Sequence, residues 1–319
     1  MSVSIIGGIN IDFKGSSYQK LSLKTSNPGR IFYSSGGVSR NVAHNLCKLE
    51  VPVNLFGVVG NDVFGEIILA ELNTLKINTN FIKISDNYRT GVYLAILDQK
   101  KDMLVSISDM EIIKEINVNY IEKHKDTLLH SKIVFLEANL EPQVIEYTLK
   151  ILENTDVCTV FNAVSNQKVK KLKNIIGKID YLTLNFSELK SLIEQENLNF
   201  SDYKSIQKIF SEEFPNIFNL IITNGEEGVL FFNNQLKKTE FFSVEKVKDS
   251  EIIDANGAGD AFTSGFIYGI YNDADIEKSI EYGIKAARIT LKSPKTVADE
   301  LSCKIFGVRS GARDRRSLP

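Results

Sequence analysis

The chain has 319 residues, 43% of them hydrophobic and 24% charged, the balance of a globular protein of one large domain or two modest ones. Its 38 basic and 40 acidic residues leave a net charge of -2, which excludes a broad electrostatic footprint for nucleic acid or an anionic membrane. Cys47, Cys158 and Cys303 lie far apart and form no CxxC pair, which points to reduced thiols filling a core and to a cytoplasmic location.

In chain order, the opening MSVSIIGGINIDF has no basic leader and reaches Asp12 too soon for a signal peptide or membrane span, so no membrane partner is expected. Within it, SVSIIGG reads as a buried strand. Residues 38–50, with apolar Val38, Val42, Leu46 and Leu49, read as a helix; PVNLFGVVG is a second strand and residues 63–75 a second helix. In residues 90–109, GVYLAIL and MLVSIS flank the polar turn DQKKD, a hairpin. A hairpin does not easily join a parallel sheet, so residues 12–35 and 90–109 are expected to form a small β-sheet over one end of the main domain, as a lid.

From Ile133 onward, KIVFLEANL, PQVIEYTLKILEN, VCTVFNAV, NQKVKKLKNIIGKI and YLTLNF alternate strand with helix, the pattern of βαβ units and a parallel sheet. Four of the eight arginines (Arg309, Arg313, Arg315 and Arg316) crowd the last eleven residues, and 309–319 is read as a disordered tail outside the fold.

In an open parallel sheet, ligands sit beyond the carboxyl ends of the strands. Gly7-Gly8-Ile9-Asn10, Asn139, Asn185, Thr223-Asn224-Gly225 and Asp254 all fall at such an edge, with a strand expected to end near Asp254. The stretch IIDANGAGDAFTSGF then turns through Gly257, Ala258 and Gly259 into a helix whose apolar face holds Phe262, Phe266 and Ile270. Main-chain N–H groups bared at a helix start form an anion pocket, and Asp260 in that first turn is placed to take a hydroxyl proton beside a transferring phosphoryl group. An ordinary helix-capping acid on a tight glycine turn explains the same residues equally well.

No GxxxxGK[ST], HRD or DFG occurs, and GAGDAF lacks the third glycine of a dinucleotide fingerprint. Asn185 and Glu188 stand three apart at a helix start, able to order Mg2+-bound water and phosphate or simply to form a capping box. Thr223 and Gly225 can contact a nucleotide phosphate or make a plain hairpin turn. His44, His124 and His130 have no metal spacing, and the lysines of KVKKLKNIIGK read as a solvated helix face, with Lys168 the candidate ligand contact.

Taken together, GGINID, SSGGVSRNVAHNLCKLE, FGVVGNDVFGEIILAEL, NFSELK, ITNGEEGV and IIDANGAGDAF resemble the ribokinase-like (PfkB) carbohydrate kinase family over residues 1–308. The resemblance implies one kinase domain: a Rossmann-type α/β three-layer sandwich, mostly parallel in its central sheet, with the lid as a discontinuous β-sheet. It implies ATP and Mg2+, and phosphorylation of a primary alcohol on a sugar or nucleoside. Asp260 is then the catalytic base and Gly257, Ala258 and Gly259 the anion hole. Asn185 and Glu188 fall at the phosphate and Mg2+ site, the metal reached through water, and Thr223 and Gly225 on the nucleotide. Asn10, Asp12, Gly36, Gly37 and Asn41 match positions that hold sugar hydroxyls, and Asp254 a monovalent-cation site for an ion such as K+.

Within the family, GGVSRNVAHNL, SISDM and NAVSNQKVKKL resemble the branch acting on the 5'-hydroxyl of pseudouridine, which adds Asp109, Asn139 and Lys168 to the base pocket. Ribose, fructose or adenosine as acceptor, or a non-catalytic sensor of such ligands, are the alternatives. Asn256 stands where the family usually has threonine, and Phe161-Asn162-Ala163 replaces a usual Asp-Pro pair. Family lids pair edge to edge, so a homodimer through the lid is also expected.

Overall fold

Strand β1 (Val3–Ile6) is buried at every position, as a strand can be only in a sheet covered on both faces. The computed structural model describes residues 1–99, 103–175 and 177–307. After β1 come β2 (Asn10–Ser17), β3 (Gly29–Gly36), α1 (Val38–Lys48), β4 (Val53–Gly60), α2 (Val63–Thr74), β5 (Ile82–Ser85), β6 (Gly91–Leu97) and β7 (Met103–Asp109). The chain continues through α3 (Val118–Lys123), α4 (Lys125–Leu129), β8 (Ile133–Glu137), α5 (Pro142–Leu152), β9 (Cys158–Asn162), β10 (Ile179–Asn185), α6 (Phe186–Ile193) and α7 (Tyr203–Glu213). It ends with β11 (Ile217–Thr223), β12 (Val229–Asn233), β13 (Lys238–Phe242), α8 (Ala258–Tyr271) and α9 (Ile276–Leu291).

Nine strands form the main sheet in the order β13-β12-β11-β10-β9-β8-β1-β4-β5. Pairing is parallel from β11 to β5, and only β12 and β13 add antiparallel ladders at one edge. The two-residue alternation of a strand sends its side chains into two separate cores. Ile6, Val134 and Leu136 pack on one face with Ile145 and Leu149 of α5, Leu189 of α6 and Phe210 of α7. Val3, Ile5, Ile133 and Phe135 pack on the other with Leu46 of α1, Ile68 of α2, Ile267 of α8 and Ala286 of α9. The α/β fold class read from the sequence therefore holds: helices cover both faces of a mostly parallel sheet.

The second sheet has the order β3-β2-β6-β7. It is two antiparallel pairs, β2 with β3 and β6 with β7, joined by a parallel pairing of β2 with β6 that begins at Asn10 opposite Gly91. Its strands fall within or beside residues 12–35 and 90–109, although β2 starts two residues earlier, at Asn10. The turn DQKKD lies partly outside the described residues, and the arginine-rich stretch 309–319 lies wholly outside them. Among the described residues, no helix is long and apolar enough to cross a membrane.

Two expectations fail. Residues 169–174 form a 3-10 helix rather than an α-helix. Its apolar Val169, Leu172 and Ile175 recur every three residues and all three are buried, which suits the three-residue turn of a 3-10 helix better than 3.6. No strand ends at Asp254 among the described residues: a 3-10 turn, Asp249–Glu251, precedes it. Ile252 and Ile253 carry the β-branched signal of a strand but are 40% and 51% exposed, and the Ile253 N–H is taken by the Leu291 carbonyl at 2.9 Å.

Candidate active site

Gly7 and Gly8 follow β1, Asn139 follows β8, and Asn185 and Thr223 end β10 and β11 opposite one another in register. Asp260 is the third residue of α8, which begins on Gly257 at φ 80, in the left-handed region. A Cβ on Gly257 would overlap the backbone of Thr296, so a side chain is excluded by packing as well as by φ. Gly259 is different: nothing lies within 4 Å of where its Cβ would be. Among the described residues, no packing requires that glycine, and the space above the first turn of α8 is open to a ligand.

Across this opening, Asn41 of α1 donates from Nδ2 to Asp260 Oδ2 at 2.8 Å. Asn41 accepts in turn from Arg40 Nη1 at 3.2 Å, and buried Arg40 is ion-paired with Glu71 of α2. Burial lifts the Asp260 carboxyl to about 7 against this hydrogen bond, and the negative charges of Asp12, Glu137 and Glu188 push in the same upward direction. A carboxyl titrating near neutrality is suited to take a proton from an alcohol.

Asp12 sits on β2 with its Oδ1 accepting from Asn10 Nδ2 at 2.6 Å. Burial raises its carboxyl, opposed by Asn10 and by the charges of Lys14 and Arg40. Gly36 on β3 packs directly on that carboxylate, where any side chain would overlap it. Gly37, at φ 98, caps α1 and lies against the Gly8 carbonyl and Asn10.

A further carboxylate, Glu137 at the end of β8, was not singled out in the sequence. It is fully buried and accepts from Gly8 N at 2.7 Å, Asn139 N at 2.9 Å and Asn139 Nδ2 at 2.6 Å. Burial raises its carboxyl despite these donors and the Lys168 charge. Because the Asn139 amide nitrogen is held there, its oxygen faces the other way and accepts from Lys168 Nζ. Burial lowers the Lys168 ammonium, opposed by Glu137. The signal available in the sequence was a lone acid closing the apolar run IVFLE. Met110 was also missed: its side chain packs beside Gly8 and Gly91, whereas neighbouring Asp109 is exposed at the end of β7.

Asn185 and Glu188 form the reciprocal capping box: Asn185 Oδ1 accepts from Glu188 N and Glu188 Oε2 from Asn185 N, each at 2.8 Å. Burial raises the Glu188 carboxyl. Thr223 and Gly225 begin the turn between β11 and β12, closed by Asn224 N on the Gly228 carbonyl at 2.9 Å. They share the strand-end edge with Asn185, and β11 lies three places along the sheet from β8, which Asn139 follows. Asp254 pairs with Lys14 at 2.5 Å. Among the described residues, no three His, Cys, Asp or Glu side chains cluster to hold a metal ion.

The environment of Asp260 has a consequence for stability. Folding raises its carboxyl from 3.8 to about 7, so the native state favours the protonated form. That contribution is fully present below the unfolded value and lost as pH rises through the folded one. Asp260→Asn is therefore expected to raise the melting temperature at pH 8, the gain vanishing near pH ~4. A thermal scan across pH reads this directly.

Residues 1–302 match the pfkB family carbohydrate kinases. Pseudouridine kinase of Escherichia coli (strain K12) is 28% identical, over 94% of this chain and 93% of that one. Guanosine-inosine kinase of Exiguobacterium acetylicum is 23% identical, over 91% and 94%. Among solved structures, ribokinase of Arabidopsis thaliana complexed with ribose and ATP matches with a TM-score of 0.83 at 18% identity, over 96% of this chain and 98% of that one. A match of this extent, over the fold and cleft just described, means that the chain belongs to the pfkB family of carbohydrate kinases, enzymes that phosphorylate a sugar or nucleoside.

Proposed function

We propose that the chain transfers the γ-phosphoryl group of ATP to the 5'-hydroxyl of a nucleoside, and that the nucleoside is pseudouridine. The observation that carries the reading is Asp260, poised near neutrality between the open first turn of α8 and the Asn10–Asp12 pair on β2. Asp260 takes the hydroxyl proton while the main-chain amides of Gly257, Ala258 and Gly259 receive the transferring phosphoryl group in line. Asn41 orients the base, and Asp12, whose carboxylate accepts from two neighbouring hydroxyls, holds the ribose diol with Gly36 and Gly37 giving it room.

Asn139 and Lys168 offer an acceptor and a donor side by side, the complement of the carbonyl and N–H edge of a uracil ring. The pseudouridine kinase among the relatives supports that acceptor. Asp109, Thr223 and Gly225 are assigned the rim of the base and nucleotide sites. Mg2+ fits as an ion carried by the triphosphate and water, with Glu188 beside it, and it would neutralise phosphate charge. The small sheet acts as a lid that excludes water from the reacting groups.

Ile31, Phe32 and Tyr33 on β3, and Leu104, Val105 and Ile107 on β7, are more than half exposed on the two edge strands of that sheet. An apolar, unpaired edge of this kind fits a second copy of the chain. Sedimentation is expected to give a dimer, and Ile107→Lys a monomer; a monomeric wild-type chain would remove the assignment.

Asp260→Asn is expected to lower turnover by roughly 100 to 10,000 fold with acceptor affinity nearly intact. Gly259→Ala separates function from folding: it keeps or gains stability in the helix yet places a methyl group in the open space, so turnover falls while the melting temperature does not. A panel of pseudouridine, uridine, guanosine, inosine, adenosine, ribose and fructose with MgATP, scored by ADP release, tests the acceptor. Pseudouridine is expected to give the highest kcat/KM. Preference for guanosine or inosine would favour the other relative's chemistry, and binding without ADP release a sensor.

A further inference from the structure

Asp254 is the residue for which the family resemblance implied a monovalent cation, and the surroundings of its carboxylate do not suit one. Lys14 Nζ donates to Asp254 Oδ2 at 2.5 Å, and Asn256 N donates to Oδ1 at 2.9 Å. Both oxygens thus already face N–H donors, whereas a hard cation needs a shell of oxygens. Each side chain of the ion pair is 24% exposed, so the pair is partly withdrawn from water and stronger than a free surface pair.

The partners come from opposite ends of the chain. Lys14 is on β2 of the small sheet, and Asp254 leads into the turn at the start of α8. Asp12 and Lys14 stand two apart on β2 and so project from one face of it, toward the body. The turn is thereby fixed at two points: Gly257 presses on the Thr296 backbone, and Asp254 is held by the ammonium of Lys14.

We infer that Lys14 is a built-in counter-cation for Asp254, a positioning residue that fixes the glycine turn and replaces a dissolved monovalent ion. The inference rests on that turn being the ATP-phosphate site, and it does not depend on which acceptor is used. Three results follow from it. ATP affinity of the wild-type chain is the same in potassium chloride and choline chloride at equal ionic strength. Removing the ammonium loosens the turn and weakens ATP binding. Potassium then restores part of the loss by reaching the freed carboxylate oxygen.

The experiment is calorimetric titration of MgATP, without acceptor, into wild type, Lys14→Met and Lys14→Arg in the two salts, with melting temperatures in parallel. Wild type is expected to agree within about twofold between salts, and Lys14→Met to bind about tenfold more weakly in choline, partly recovering in potassium. Lys14→Arg retains most of the affinity. Only Lys14→Met is expected to melt at a higher temperature in potassium than in choline. Wild-type affinity or melting that rises with potassium would overturn the inference, as would a Lys14→Met chain matching wild type in both salts. A wild-type chain that binds no ATP in either salt would overturn the assignment of the turn itself, and Lys14 with it.

Discussion

A half-buried carboxyl group set among other acids at the first turn of α8 is the constraint around which the cleft is built. Burying an ionisable group is costly unless it is paired, and Asp260 is given one N–H from Asn41 while three other acids surround it. The molecule holds this arrangement by rigid packing on either side. Phe262 and Phe266 of α8 are buried against Ile221, Val229 and Ile280, and Gly265 lets α8 lie on the backbone of Tyr282 in α9. On the opposite wall, Asn41 is backed by buried Arg40 and its ion pair to Glu71, so the donor cannot drift away from the acid it serves.

Two distant stretches therefore meet at one cleft. Residues of the first third of the chain, from Gly7 to Asn41, supply one wall, and the turn into α8 supplies the other. The sheet makes this possible because β1 lies between β8 and β4, which sets Gly7 and Gly8 beside Glu137 and Asn139. Glu137 then acts as a hub: by accepting from Gly8 and from both nitrogens of Asn139, it decides which face of that amide is turned to Lys168.

Much of the fold was legible because its signals are local. The run IVFLE reads as a buried strand, and the strand–helix alternation that follows it gives a parallel sheet without knowledge of partners. The glycine turn was legible for the same reason, since small residues before an apolar helix leave few other readings. What escaped depends on neighbours remote in sequence. Val169, Leu172 and Ile175 could be taken for helix face until their three-residue spacing met the sheet. Ile252 and Ile253 imitate a strand but face solvent beside α9. Lys14 and Asp254 are 240 positions apart, and Glu137 gains its meaning only from Gly8, 129 positions away.

The placement of β1 also bears on how the chain assembles as it is made. Val3, Ser4 and Ile5 pair with Ile133, Val134 and Phe135, and β2 pairs in parallel with β6 some eighty positions downstream. Strand β1 is thus made long before β8, its second neighbour in the sheet. Until β8 arrives, β1 waits with one flank unpaired, and closing so long a loop is a slow step during which a bare strand edge stands open to wrong pairing.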